Sequence, residues 1–415
     1  MESNRRLQAL VTVLVFVATI YRYRPLASPL GPCGSGYESL ELACSLAKRG
    51  AFSDPYWTLS TGASAHLAPL FPWLISLPIR CFGDTAMAMD AVQWMGTVAL
   101  AIQIGLWPWV AQRLGMRFST GVLAAAAWLW VGFSFLPMWE APYLALLILA
   151  LVLCMDRILG GQGSGGLVVS TAVLWGVVFL LSPVPLLVYL ALMGWILILR
   201  RVPRAQMLAL LLIPVLIVAP WVVRNYLAFH HFVFIRDNLG LELANSNSPC
   251  ATYSFQVNVG KHCYPHPNDD RVEAMRVQAM GEYAYNQQKM AQALNWIRSN
   301  PAKFATLTRQ RFLAFWFFTP VPSIQHAPVK VVAVGVLTLL GAGGLFLLWR
   351  RQPASAVLCL VWVLFYPPVY YLVAFTPRYR DPILWTSFLP AAYLAAELPR
   401  RRSTVPKTAN CRKHN

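Results

Sequence analysis

The chain has 415 residues, of which 57% are hydrophobic and only 12% charged, about half the charged share of a soluble protein. That balance excludes an ordinary soluble domain and points to a multi-pass membrane protein, because its apolar runs of about 18 or more residues can each cross a ~30 Å hydrocarbon layer. The formal net charge is +18; the positive-inside bias and anionic headgroups account for it, and no basic stripe with interleaved aromatics points to nucleic acid.

The first apolar run, Leu7–Ile20, follows Arg5 and Arg6 and has no small-residue cleavage site behind it, so it reads as an uncleaved signal anchor. A polar segment, 21–85, comes next. Within it Leu40, Ala43 or Cys44, and Ala47 share one face of a helix over Tyr37–Lys48, with Gly50 as its stop. Glu38 opens that helix and Glu41 lies one turn on. A carboxylate in a first turn suits the helix dipole whatever else it does; Glu38 is the candidate for chemistry and Glu41 the more structural of the two. Pro69–Phe82 is apolar but short, and Pro72, Pro78 and Arg80 interrupt it, so it reads as a helix lying on the membrane surface.

Further spans follow at 86–110, 118–136, 139–157, 166–182, 184–200, 205–223, 329–349, 355–375 and 382–398, making about ten with the first. With the N-terminus in the cytoplasm, Arg113, Arg117, Arg157, the Arg200/Arg201/Arg204 group, Arg350/Arg351 and the basic tail all face the cytoplasm, so both termini lie there. The sequence GGQGSGG at 160–166 lacks the Lys-Ser/Thr of a phosphate loop and reads as a flexible linker. FLPMWEAPY puts Glu140 at the outer mouth of a span, an unusual depth for a carboxylate.

The outer side then receives a second segment, 224–328, far longer than an ordinary connection. PWVVRNY places Arg224 and Asn225 where a span meets the outer surface. The irregular stretch RDNLGLELANSNSPC offers Asp237, Asn238, Glu242, Asn245 and Asn247 as hydrogen-bonding groups for a polyhydroxylated ligand. Asp270 and Glu273 form a capping box for a helix running to about Asn300, where Pro301 stops it. Phe304–Phe318 contains Arg309 and Arg311 and reads as an interfacial amphipathic helix. TPRYRDP sets Arg378 and Arg380 between the last two spans, and the planar guanidinium fork suits a phosphate. Cys250 and Cys263 flank one outer loop and fit a disulfide; Cys154 and Cys359 lie within spans as apolar packing, and no CxxC occurs. The chain thus divides into an N-terminal transmembrane module (1–223) containing the first outer loop (21–85), a large outer loop (224–328), and C-terminal spans with a basic tail (329–415).

GYESLELACSLAKRGAF, the turn with Thr61-Gly62, and APLFPWLISLPIRCFGD resemble the first outer loop of bacterial GT-C integral-membrane glycosyltransferases, the family 39-like enzymes that use a polyprenyl-phosphate sugar. PWVVRNYLAFHHFVFIRDNLGLEL, HPNDD…GEYAY…NPAKF and PRYRDPI look like further blocks of one bacterial subgroup. The resemblance covers nearly the whole chain. It implies an all-α, GT-C-like membrane bundle with amphipathic helices in the first outer loop. It also implies an inner-membrane enzyme, active on the periplasmic side, that moves a sugar with inversion to a glycan, lipid or protein acceptor. The family places an acidic base in the first loop, usually an Asp; here Glu38 is the first carboxylate. The lysine that many relatives carry before a Pro-Pro-Leu turn is replaced by His66-Leu67, which directs attention to Arg224, Arg378 and Arg380 for the donor phosphate. A divalent metal is possible, since the outer loops hold enough carboxylates, but no ligand spacing demands one. Two other readings stay open. One is a lipid or sugar transporter or flippase, although mid-membrane ionisable residues and repeated halves with broken helices are lacking. The other is a non-catalytic degenerate transferase.

Overall fold

A computed structural model describes residues 2–131, 138–200, 202–317 and 328–403. The end of the 118–136 span, Phe135–Pro137 before Glu140, Arg201, residues 318–327 and the tail beyond Ser403 lie outside the described residues. The described chain is helical, and its only β pairing is two isolated bridges, Ser53–Ala63 and Ser254–Phe375.

In chain order the helices are α1 (Glu2–Tyr23), α2 (Glu38–Arg49), α3 (Leu70–Phe82), α4 (Ala86–Arg113), α5 (Phe118–Val131), α6 (Ala141–Leu159), α7 (Gly165–Leu181), α8 (Leu186–Leu199) and α9 (Arg204–Phe229). The second outer segment supplies α10 (Leu239–Ser246), α11 (Phe255–Gly260), α12 (Arg271–Met280), α13 (Glu282–Ser299) and α14 (Pro301–Phe317). Helices α15 (Pro328–Arg351), α16 (Pro353–Phe365) and α17 (Trp385–Ser403) close the chain. Each expected span contains a helix. Among the described residues, six are long and apolar enough to cross a membrane, within α1, α4, α6, α9, α15 and the stretch from Pro353 to Tyr371; α5, α7 and α8 are shorter apolar helices. The fold is therefore an all-helical membrane bundle, with the crossing supported for six spans rather than ten. The 355–375 span does not stay helical, because Pro367 and Pro368 follow Phe365 and cannot donate to the helical ladder; short 3-10 turns carry the chain onward.

Small residues set the helix contacts, as they do where lipid offers no hydrophobic drive for association. A Cβ added at Gly344 of α15 would lie 1.8 Å from the Pro390 carbonyl oxygen of α17, so these two backbones meet with no side chain between them. The core runs through the bundle as one cluster, with Trp107, Trp175, Trp362 and Trp385 fully buried in it.

The outer segments form a cap, and here the structure departs from the sequence reading at three points. First, RDNLGLELANSNSPC is not irregular: Leu239–Ser246 is α10, drawn into helical form by burial of Leu241 and Leu243 against α13, with Gly240 leaving no room for a side chain beside the Asn286 carbonyl. Second, the helix expected from Asp270 to Asn300 breaks at Gly281, whose φ of 82° ends α12 before α13 begins. Asp270 does cap α12, accepting from the Val272 and Glu273 N–H groups, but the Glu273 carboxylate turns away to Lys289, Tyr285 and Arg276 instead of closing the box. Third, α14 does not use Arg311 as a solvated face. Its guanidinium is fully buried and donates to Asn247 Oδ1, the Leu372 carbonyl and the Ser246 carbonyl, locking α14 to α10 and to the turn after α16. The expected Cys250–Cys263 disulfide is present, together with one that was not expected, Cys33–Cys44.

Candidate active site

Helix α2 begins where the chain must turn sharply. Gly34 and Gly36 both take φ of 78°, a left-handed conformation that glycine adopts without penalty. Burial pushes the Glu41 carboxyl up against the opposing pull of the Gly36, Gly34 and Ser35 backbone, and Cys33–Cys44 closes the same loop covalently. Glu41 faces this turn, and Glu38 stands at the helix start, on its positive end. At the other end of α2, Gly50 takes φ of 67° and its N–H caps the Leu46 carbonyl, the stop expected from the sequence.

Two histidines converge on Glu38. His66 Nε2 lies 3.5 Å and His266 Nε2 3.3 Å from Glu38 Oε1, with His66 1% and His266 5% exposed. His66 comes from the hairpin before α3, and its Nδ1 lies 3.2 Å from the Tyr56 hydroxyl. His266 comes from the loop before α12; its Nδ1 accepts the Asn268 backbone N–H, and its ring stacks on Tyr264. The Tyr264 hydroxyl in turn donates to Glu242. A chain of polar groups thus runs from Tyr56 through His66, Glu38 and His266, and by ring stacking to Tyr264 and Glu242, joining both outer segments.

Charge follows from this arrangement. Burial alone would raise the Glu38 carboxyl, but the hydrogen bond and charge of His66, with His266 and Arg378, outweigh it and bring it down to about 2. His66 moves up: burial opposes its charge, yet the hydrogen bond to Glu38 and the charges of Glu38 and Glu282 prevail. His266 moves down, because burial, joined by the like charge of His66, outweighs Glu38. The shifts thus favour an ionised Glu38 and move the two imidazoles in opposite directions, His66 toward its charged form and His266 toward its neutral one.

Glu38 and His66 open onto a cavity of about 410 Å³. Glu140, Asn238, Glu242 and Arg378, all candidates from the sequence, line it too, as do Arg236, Trp139 and Tyr379. One wall is apolar, formed by Leu144, Val184, Leu186 and Val369 at the mouth of the bundle. The Arg378 guanidinium carbon lies over Trp139, 3.5 Å from the ring centroid, and Arg378 forms no ion pair among the described residues. Six sequence candidates lie outside the cavity lining; of these, Asn245 donates to the Pro265 carbonyl and Asn247 to the Leu243 and Leu372 carbonyls. Arg224 donates to the carbonyls of Ser64 and Phe52 and stacks over Trp221. Asn225 is buried and donates to the Val233 carbonyl. Arg380 is fully buried on the Trp316 and Phe315 carbonyls, Thr338 and Ser387. Asp237 gives its backbone N–H to the Ala65 carbonyl, while Glu282 accepts the Ala65 N–H. Arg236 and His266 were not singled out from the sequence. His266 stands between Pro265 and Pro267 in a polar loop, a weak signal that only the docking of that loop makes meaningful.

No protein-family model matches the chain, and no curated protein does. Solved structures do match in fold. The archaeal oligosaccharyltransferase AglB from Archaeoglobus fulgidus, in complex with an inhibitory peptide and a dolichol-phosphate, overlays 99% of this chain at a TM-score of 0.55 and 13% identity. The same organism's oligosaccharyltransferase in complex with Zn and sulfate overlays 95% at a TM-score of 0.52 and 11% identity. The chain has the GT-C fold. It spans about half the length of these enzymes, 53% of one chain and 50% of the other. ArnT from Cupriavidus metallidurans bound to undecaprenyl phosphate overlays 96% of this chain and 80% of its own at 14% identity, but its TM-score of 0.39 carries no weight here.

Within this GT-C fold, Glu38, His66 and His266 also have the spacing of a metal site, with one ligand atom from each lying within 4.8 Å of the others. Bonds of ~2.0–2.2 Å around a tetrahedral ion put neighbouring ligand atoms ~3.3–3.6 Å apart, which matches the two Glu38 distances. The Asn268 N–H on His266 Nδ1 leaves the ring proton on Nε2, so an ion bound there would have to displace it.

Asp237 allows a separate check on the cap. Burial, with the charge of Glu282 added, lifts its carboxyl to about 7. The unfolded chain ionises it from 3.8 upward while the folded chain keeps it neutral, so stability contributed here is lost as pH rises from about 4 to about 7. Asp237→Asn is expected to flatten that part of the melting temperature against pH. Parallel curves for the variant and the parent would contradict it.

Proposed function

We propose that the protein is a membrane glycosyltransferase that moves a sugar from a polyprenyl-phosphate donor to an acceptor hydroxyl, inverting the anomeric centre, on the outer face of a bacterial inner membrane. The observation that carries this reading is the cavity itself: an ionised carboxylate, two guanidinium groups and an apolar wall share one space at the membrane mouth of a GT-C bundle. The dolichol-phosphate in the AglB complex supports a lipid phosphate as leaving group.

The chemistry needs little more. A glycosyl phosphodiester carries one negative charge. When its C–O bond breaks, the departing lipid phosphate approaches two, so Arg236 and Arg378 favour the transition state over the bound donor. The acceptor oxygen bonds to the anomeric carbon as this happens and its proton leaves. Glu38, held at about 2, is a weak base; a hydroxyl already bonding to carbon is a strong acid, so a weak base that is always ionised suffices. Glu242, Asn238 and Glu140 are placed to accept and donate hydrogen bonds to sugar hydroxyls. His66 and His266 keep the carboxylate oriented and charged. A divalent ion at Glu38, His66 and His266 would supply Lewis-acid charge to the same space.

The decisive experiment incubates the purified full chain with a panel of radiolabelled polyprenyl-phosphate sugars and a lipid or glycan acceptor, with and without a chelator. Transfer of label establishes the activity, and its dependence on the chelator decides the metal. Uptake of the donor into proteoliposomes with no transfer for any sugar would sink the reading in favour of a transporter.

A further inference from the structure

The two outer segments meet at the site through a very short piece of chain, His266-Pro267-Asn268. Asn268 sits at the centre of the contact. Its side-chain Nδ2 donates to the Gly36 carbonyl at 2.6 Å, two residues before Glu38. Its backbone N–H donates to His266 Nδ1 at 3.2 Å. Between them, the Pro267 carbonyl accepts the Thr58 hydroxyl at 2.6 Å. Asn268 is 7% exposed, and its side chain is among the atoms nearest to Gly36.

These bonds have a directional consequence. A neutral imidazole carries one N–H, and a ring nitrogen that accepts a hydrogen bond carries none. With Nδ1 occupied as acceptor, the ring hydrogen belongs on Nε2, the atom 3.3 Å from Glu38 Oε1. The same residue that chooses this tautomer also anchors the loop to the backbone entering α2. Its two bonds therefore set both where His266 stands and which nitrogen faces the carboxylate.

We infer that Asn268 is a positioning residue for the centre: it docks the second outer segment on the first and holds His266 with an N–H aimed at Glu38. It touches no substrate in this role. The inference rests on the transferase reading for its kinetic readout, but it also has a readout that needs no activity.

The test compares the full-length parent with Asn268→Ala, Asn268→Ser and Thr58→Val. Thr58→Val breaks the neighbouring tie on Pro267 without touching either Asn268 bond. Solid-state spectra of protein labelled with nitrogen-15 histidine, with the His266 signal assigned by its loss in His266→Gln, report the tautomer directly. The parent should show His266 protonated on Nε2; Asn268→Ala keeps the backbone N–H but loses the side-chain anchor on Gly36 that holds it against His266 Nδ1, so it should show a mixture; Thr58→Val should show the parent pattern. In turnover, Asn268→Ala should lose about 10- to 100-fold in kcat, the usual effect of removing such a supporting group, with KM for the donor nearly unchanged. Asn268→Ser, which keeps a short donor, should recover part of the loss. The proposal is overturned if the parent His266 is protonated on Nδ1, if the tautomer is the same in Asn268→Ala, or if Thr58→Val loses kcat equally. A parent that transfers no sugar defeats the function reading and leaves the tautomer comparison to decide the role of Asn268.

Discussion

Glu38→Gln is expected to lower sugar transfer by about 10²- to 10⁴-fold, the range for removing a proton-accepting group, which corresponds to about 3–5 kcal/mol of barrier. The substitution changes almost nothing in volume. What it removes is the charge that two histidines face. His66 Nε2 at 3.5 Å and His266 Nε2 at 3.3 Å face the same oxygen and would meet a neutral amide, which presents either an uncharged carbonyl oxygen or an NH₂ in its place. His66, held up in pKa by Glu38, should also fall back toward the ordinary histidine range. The side chain is 17% exposed and opens onto the cavity, so the fold should survive with a similar melting temperature. Turnover of Glu38→Gln within a few-fold of the parent, measured on folded protein in detergent, would remove Glu38 from the chemistry.

Arg378→Ala should cost about 10²- to 10³-fold in kcat, the scale for losing one donor to a developing oxyanion. The argument is one of changing charge. The donor phosphate gains about one negative charge as it leaves, so a cation beside it acts mainly on kcat. Arg378 suits the task because no salt bridge ties it among the described residues: its guanidinium carbon lies 3.5 Å from the Trp139 ring centroid, with Tyr379, Glu140 and Glu38 around it. Arg224 and Arg380 differ, since each spends its donors on backbone carbonyls. Arg378→Lys keeps the charge but loses the fork that grips two oxygens, so it should fall between parent and alanine. A full loss of donor binding with kcat unaltered at saturation would show that Arg378 holds the ground state only.

The arginines show what a sequence can and cannot convey. Arg224, Arg378 and Arg380 look alike as strings: each lies at the outer end of a span beside aromatics. Their difference is a matter of which carbonyls happen to lie within reach, and those belong to residues 52, 64, 315 and 316, far away in the chain. Arg236 could not be distinguished from its neighbours Asp237 and Asn238 for the same reason. Glu38 and Glu41 both suit the first turn of a helix, and only the packing of His66 and His266 around Glu38 distinguishes them.

By itself the sequence determined the medium, most of the helices and the helix start at Glu38. Apolar runs report membrane spans because an unpaired backbone in lipid forces helix formation locally, and Gly50 and Pro301 end helices through their own backbone limits. The helix start at Glu38 is equally local. Only the tertiary structure decided the centre around it. His66 and His266 are 200 residues apart in number, and they meet at one carboxylate because Asn268, Pro267 and Glu282 dock the second outer segment onto the first. That docking depends on long-range hydrogen bonds between backbone and side chain, which leave no periodicity or spacing in the sequence to read.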